Sequence, residues 1–286
     1  MRILIVKLSS FGDLLHALPA VHNLKVGLKA DVDWVVQSEY VEVVQCFTDV
    51  ARIIPVRRRR MAGNLRQFVE RLRQERYDYV IDLQGLLKSA LIARLARGGR
   101  RIGPSFHREG SRLFYDSVAG PCEKNRHAVE ECLDIVAHLG LERLAPVFPV
   151  AFPPAEVTQP RPRIALLPVS RWRTKNWPVQ CFAETARLIR QARPASFFVL
   201  GGPMDIGACD QAVAEAGDNV FNMAGTLSLA QTGGFLKEMD LLISNDSGPV
   251  HVAAAVGTPA LVVFGPTDPR RTGPYGERHR VVATKL

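Results

Sequence analysis

Cysteine is scarce and scattered in this sequence. The five thiols of the 286-residue chain, Cys46, Cys122, Cys132, Cys181 and Cys209, form no CxxC pair. That spacing excludes a disulfide framework and a thiolate zinc site, and reads as incidental thiols in a reduced compartment. Long apolar runs are lacking as well: none approaches the ~20 residues that span a bilayer. The apolar start RILIV is far too short for a signal-peptide core before it ends in SSFGD. A cytosolic protein is expected. Nucleotide fingerprints are also missing: there is no Walker A sequence and no GxGxxG, and the GGP at 201–203 is too little to count.

Acidic residues are in deficit, with 28 Asp and Glu against 37 Lys and Arg, a formal charge of +9. Such a balance favours anionic partners: nucleic acid, acidic lipid headgroups or phosphorylated substrates. Part of the excess is gathered in Arg57, Arg58, Arg59 and Arg60, followed by Arg66, Arg71, Arg73 and Arg76. A solvated helix face accounts for this run as readily as a binding surface does.

What is present is alternation. RILIVKL (2–8) is a nearly continuous apolar run, as expected for a strand buried on both faces. LLHALPAVHNLKVGL then has helical spacing, VDWVVQ and RIIPV read as strands, and a basic helix is predicted around 64–76. YDYVIDLQ and LLKSALIARLA continue the pattern as strand and helix. The proline-rich segment 146–163 breaks it and reads as an interdomain linker. Alternation resumes with RIALLPV, a helix over 178–192, SFFVLGG, a helix through QAVAEAG, LLISN, PVHVAAAVG and ALVVFG. The expected architecture is α/β, two doubly wound parallel-sheet domains over 1–150 and 163–286 joined by residues 151–162. Such domains would face a cleft, with ligands beyond the carboxyl ends of the strands.

Four polar loops follow strands. In SNDSGPVHVAAAVG, residues Asn245 to Gly248 form a tight strand-to-helix turn, Pro249 suits the first helical turn, and Gly257 stops the helix. First-turn N–H groups and Gly248 would admit a phosphate, although Asp246 or Ser247 acting only as a helix cap explains the same residues. The loop GPTDPRRTGPYG (265–276), on the same edge, tips the balance toward a site. A serine hydrolase is disfavoured, because NDSGP is not GxSxG and its proline suits a helix start. RWRTKNWP follows RIALLPV, so Arg171, Arg173 and Lys175 are placed to neutralise a diphosphate, with Trp172 and Trp177 packing the helix start. In the N-terminal half, SSFGDLLH puts Asp13 in the first turn of a helix, where the dipole favours and orients a carboxylate. It would repel phosphate but could take a proton from an acceptor hydroxyl; a merely helix-stabilising Asp is the alternative. His16 is structural or a substrate contact.

RILIVKLSSFGDLLHALPA, DLQGLLKSALIARL, RWRTKNWP and SNDSGPVHVAAAVGTPALVVFGPTDP, in this order, resemble glycosyltransferase family 9, the bacterial lipopolysaccharide heptosyltransferases. IVKLSSFGDLLH, VIDLQGLLKSA, SRLFY and RHAVE are most similar to its heptosyltransferase I group. The resemblance implies a GT-B fold of two Rossmann-like domains, the N-terminal one for acceptor and the C-terminal one for nucleotide sugar. It implies inverting transfer of heptose from ADP-L-glycero-D-manno-heptose to Kdo of the lipid A core, with no cofactor and no metal. Asp13 matches the family's general base, and Lys175, with Ser170 beside it, the donor-phosphate contact. Asp246, Ser247, Gly248 and His251 match the donor turn, and Asp205 an acid near the ribose. Lys7, Arg57 to Arg60 and Arg108 correspond to the basic acceptor region, which implies peripheral contact with the anionic cytoplasmic face of the inner membrane. Members of the family continue past a segment like RHRVVATKL into helices, one crossing back to the N-terminal domain, so a chain stopping at Leu286 is expected to be truncated or a shortened member.

Other readings are a different family 9 transferase (heptosyltransferase II or III, or one using another sugar), a nucleotide-sugar epimerase of the same architecture, and a basic protein binding nucleic acid or membrane. The epimerase would rely on more acids and histidines around the donor. No nucleic-acid motif with interleaved aromatics is visible.

Overall fold

The computed structural model describes residues 1–57, 61–123 and 125–283, with side chains for all of these except 61–64. The chain divides into two compact units, Met1–Ala151 and Phe152–Leu286, each built on a six-stranded parallel sheet with helices packed on it.

In the first unit the elements run β1 Arg2–Val6, α1 Phe11–His16, α2 Leu18–Leu28, β2 Asp31–Gln37, α3 Val41–Val44, β3 Arg52–Val56 and α4 Met61–Leu72. They continue with β4 Tyr77–Asp82, α5 Leu87–Leu95, β5 Gly98–Pro104, β6 Ser117–Ala119 and α6 Ala128–His138. The strand order is β3-β2-β1-β4-β5-β6, so the order reverses between β1 and β4, where Val6 lies beside Asp82. Alternate residues of β1 serve opposite faces. Leu4 and Val6 join Phe68, Leu72, Ile92 and Ala93 from α4 and α5, while α6 packs against α1 and α2.

The second unit repeats the plan. Its elements are β7 Arg163–Leu167, α7 Val179–Ala192, β8 Ser196–Val199, α8 Ile206–Ala216, β9 Val220–Asn222 and α9 Leu229–Lys237, then β10 Leu241–Asn245, α10 Gly248–Val256, β11 Ala260–Phe264, α11 Pro269–Thr272 and β12 Arg280–Ala283. The order β12-β11-β10-β7-β8-β9 reverses between β7 and β10, where Leu167 lies beside Ser244. Phe182, Phe197, Ile164, Leu166 and Ile243 are the buried centre of one face. Gly257 ends α10 at φ +83, a left-handed conformation that costs glycine little.

The structure differs from the sequence reading at several elements. The expected helix over 14–28 is two helices, since α1 begins earlier, at Phe11, and Pro19 sits near the start of α2. The basic helix is shifted N-terminally and stops at Leu72. β5, GGRRIGP, has no apolar run to announce it and forms because its backbone pairs with β4 and β6. Asp31 and Asp33 have the DxD spacing of some metal sites, but Asp33 is fully buried in β2 and committed elsewhere. Its Oδ2 accepts from Arg52 Nε at 2.8 Å and from the Tyr77 hydroxyl at 2.9 Å. Arg52 and Tyr77 open β3 and β4, so this cluster ties the amino-terminal ends of the strands, away from the loops considered below.

Removing the cation would leave the buried Asp33 carboxylate poorly compensated. Arg52→Met is expected to lower unfolding stability by about 2 kcal/mol, read as a shift in the urea midpoint. An unchanged midpoint would show that the pair contributes nothing.

Candidate active site

In the first unit the polar loops gather at the carboxyl ends of β1 and β4. Ser10 precedes α1 and Asp13 is its third residue. The Ser10 backbone N–H and hydroxyl donate to Asp13 Oδ2 at 3.0 and 2.7 Å. His16 Nδ1 lies 3.8 Å from the other oxygen, Oδ1, and the Asp13 side chain remains 42% exposed. One carboxylate oxygen is therefore fixed by two donors while the group stays open to solvent. His16 is buried and its ring meets His127 edge-on at 5.6 Å.

Lys7 is only 6% exposed; its Nζ donates to the Leu83 carbonyl at 2.6 Å and lies 5.8 Å from the Phe106 ring centre. Lys7 is thus a buried cation at the head of the Asp13 loop. Arg57 follows β3 and Arg108 follows β5, both exposed on the same sheet edge, and Arg108 N–H donates to the Gly85 carbonyl at 2.8 Å. Arg58, Arg59 and Arg60 lie outside the described residues.

The sequence reading missed what braces this loop. Gln84 Oε1 accepts from the backbone N–H groups of Leu8 and Ser9 at 3.0 and 3.1 Å, tying the β1–α1 loop to the end of β4. Asp82 fixes Gln84 in turn. It is buried, accepts from the Gln84 and Gly85 N–H groups at 2.7 and 3.1 Å, and takes the Tyr115 hydroxyl at 2.7 Å. Burial raises the Asp82 pKa against the opposing effect of these donors, and burial beside Asp82 raises that of Tyr115.

In the second unit the loops after β7, β10 and β11 meet. Lys175 Nζ contacts Asp246 Oδ2 at 2.5 Å, and the Thr267 hydroxyl donates to the same oxygen at 2.7 Å. The Asp246 side chain is 7% exposed and that of Lys175 21%. Ser247 is the N-cap of α10, so the Ser247 and Gly248 N–H groups open a nine-residue helix directly beside this pair. An ammonium with three donors, one spent on Asp246, and a helix N-terminus together suit a phosphate. His251 is buried in α10.

Asn245 holds the lysine loop in place. Fully buried at the end of β10, it accepts from Trp177 N–H at 2.8 Å and donates Nδ2 to the Pro168 carbonyl at 2.7 Å, stapling both ends of the loop. Inside the loop, Asn176 Oδ1 receives the Ser170 N–H at 2.9 Å and the Ser170 hydroxyl at 2.7 Å, so Ser170 is turned inward as a brace. Gly265 permits close approach from β11: a Cβ there would lie 3.3 Å from the Thr174 carbonyl oxygen. Trp177 packs on Phe182, but Trp172 is 63% exposed and does not pack the helix start as expected. Asp205 stands apart. It follows β8, two strands from β10, and its carboxylate accepts from Gly202 N–H at 2.8 Å.

Two buried cysteines lie near these groups, Cys132 within electrostatic reach of Lys7 and Asp13, and Cys209 of Asp205. Burial pushes the Cys132 thiol up to about 11 and Cys209 to about 12, so both are protonated and unreactive at neutral pH.

The chain is similar to known proteins over most of its length. The family described as glycosyltransferase family 9 (heptosyltransferase) matches residues 65–286. The lipopolysaccharide heptosyltransferase 1 of Pseudomonas aeruginosa is 32% identical, over 96% of this chain and 82% of that protein. The counterpart from Escherichia coli K12 is 31% identical, over 98% of this chain and 93% of its own length. The solved structure of E. coli heptosyltransferase WaaC with ADP superposes with a TM-score of 0.87 at 29% identity, covering 99% of this chain and 93% of that one.

Because Asn245 satisfies two backbone groups at once, Asn245→Ala is expected to cost about 2 kcal/mol of stability and to speed amide exchange across 168–177. Exchange there at the parental rate would mean the loop is held by something else.

Proposed function

The chain belongs to glycosyltransferase family 9, and from that membership we propose that it transfers heptose from ADP-L-glycero-D-manno-heptose to Kdo of the lipid A inner core. The transfer inverts the anomeric carbon and uses neither metal nor cofactor. The observation that carries the reading is the meeting of Lys175, Asp246 and the N-terminus of α10 at one sheet edge. The names of the relatives supply the sugar, and the E. coli relative, TM-score 0.85 in its second complex, is described with ADP-2-deoxy-2-fluoro heptose.

The donor's phosphates lie against Lys175 and the Ser247 and Gly248 N–H groups. Asp246 and Thr267 aim the lysine, so its ammonium is oriented before the donor arrives. His251 and Asp205 belong to the donor side, Asp205 toward the ribose, and Ser170 contributes by shaping the lysine loop. Asp13 acts on the acceptor. Ser10 fixes Oδ2, and Oδ1 takes the proton of the acceptor hydroxyl as that oxygen bonds to the anomeric carbon. The bond from the anomeric carbon to the β-phosphate oxygen breaks on the opposite side, and both electrons leave with ADP. Negative charge grows on the departing diphosphate, where Lys175 and the helix N–H groups stabilise it most. Positive charge in these positions supports a reaction that needs no metal.

Arg57 and Arg108 are exposed on the acceptor side, where Kdo carboxylates and lipid A phosphates bind, with Lys7 buried at the head of the Asp13 loop; the family resemblance assigns Arg58 to Arg60 to the same role. Such an acceptor is membrane-anchored, so the protein works at the cytoplasmic face of the inner membrane. Among the described residues no helix is long and apolar enough to cross a membrane.

Asp13→Asn should leave ADP-heptose affinity within a few-fold and lower kcat at least ~100-fold, with product configuration by NMR reporting inversion. Parental turnover in this variant would remove Asp13 from the mechanism. Lys175→Met should instead weaken ADP and ADP-heptose together by about tenfold or more in calorimetric titration; unchanged affinity for both would overturn the donor assignment.

A further inference from the structure

The helix α5 turns Ser89, Ala90, Ile92 and Ala93 into the core. Its outward side would ordinarily be polar. Instead Leu87, Leu91 and Leu95, at i, i+4 and i+8, are 38%, 44% and 41% exposed. The short turn Ser111–Phe114 packs alongside α5 and adds Leu113, 87% exposed. Four exposed leucines on adjoining elements form a ridge, and contiguous exposed apolar surface of this kind marks a contact.

The surrounding charge selects the occupant. Residues 86–115 carry seven lysines and arginines and a single acid, Glu109, whose carboxylate accepts the Leu87 N–H at 3.1 Å. Lys88, Arg94, Arg97, Arg108 and Arg112 are all exposed. A second copy of this chain would bring like charges together, which opposes association. A nucleic acid would answer the cations but leave the leucines without a partner. An anionic bilayer answers both, taking apolar side chains below its headgroups and cations among them.

The ridge also adjoins the proposed acceptor side. Gly85 leads into α5 and its carbonyl receives the Arg108 N–H at 2.8 Å and the Ser111 hydroxyl at 3.0 Å. The neighbouring residue Gln84 braces the loop that carries Asp13. We propose that the ridge of α5 and the 111–114 turn is a membrane-docking surface that seats the first unit on anionic lipid, beside the acceptor; it rests on the reading of that acceptor as membrane-anchored.

The test uses the full chain and sedimentation with vesicles of phosphatidylcholine alone or of an equimolar mixture with phosphatidylglycerol. The mixed vesicles should bind about tenfold or more tightly, and salt should weaken them. Leu91→Asn with Leu113→Asn should lose about tenfold or more on mixed vesicles, with thermal unfolding and transfer to a de-acylated soluble acceptor unchanged. Leu188→Asn, altering a leucine 55% exposed in the second unit, should bind as the parent does. A double variant that binds like the parent, or a parent that ignores the mixed vesicles, would overturn the proposal. Ridge-dependent binding by a chain that transfers no sugar would support the ridge and contradict the acceptor reading alone.

Discussion

A parallel sheet puts every carboxyl end on one edge, and the strand order can reverse at only a few places along it. In this chain both sheets reverse once at their centre, between β1 and β4 and between β7 and β10. The rest follows from that constraint. Loops far apart in sequence leave neighbouring strands and must share a small region, so Lys7 reaches the Leu83 carbonyl and Asn245 reaches Pro168. Each sheet then gathers its polar loops at one edge and leaves the opposite edge free to be tied for stability, as Asp33, Arg52 and Tyr77 do in the first unit.

The two edges carry different groups on the same local device, a helix N-terminus after a central strand. At α1 the protein places a carboxylate there; at α10 it places a serine and a glycine and supplies a lysine from a neighbouring loop. The first arrangement suits removal of a proton, and the second suits anionic phosphate. In both cases an amide side chain holds the loop concerned: half-buried Gln84 ties down the Asp13 loop, and fully buried Asn245 the Lys175 loop. Positioning by neutral amides holds each loop without adding a charge beside Asp13 or Lys175.

Much of this was legible in the sequence, for physical reasons. Strands buried on both faces read as apolar runs, so β1, β7, β10 and β11 stood out, and the polar residues after them had to lie at a sheet edge. β5 did not stand out, because GGRRIGP is held by backbone pairing and carries little apolar pattern. The braces were missed for a related reason. Gln84, Asn176, Asn245 and Thr267 are ordinary polar residues whose value lies in partners on another strand's loop, as with Thr267 and Asp246, or across a turn, as with Asn176 and Ser170. Local spacing also misjudged Trp172, which is exposed. Family resemblance supplied the sugar, the acceptor and the roles of individual residues, none of which periodicity can encode.

The most direct test of the account is mass spectrometry of de-acylated Kdo2-lipid A after incubation with the chain and ADP-L-glycero-D-manno-heptose, with a UDP-sugar and a GDP-sugar in parallel. The account predicts the mass gain of one heptose from the ADP-sugar alone, with ADP released in equal amount. No gain despite bound ADP-heptose, or an equal gain from another nucleotide sugar, would contradict it.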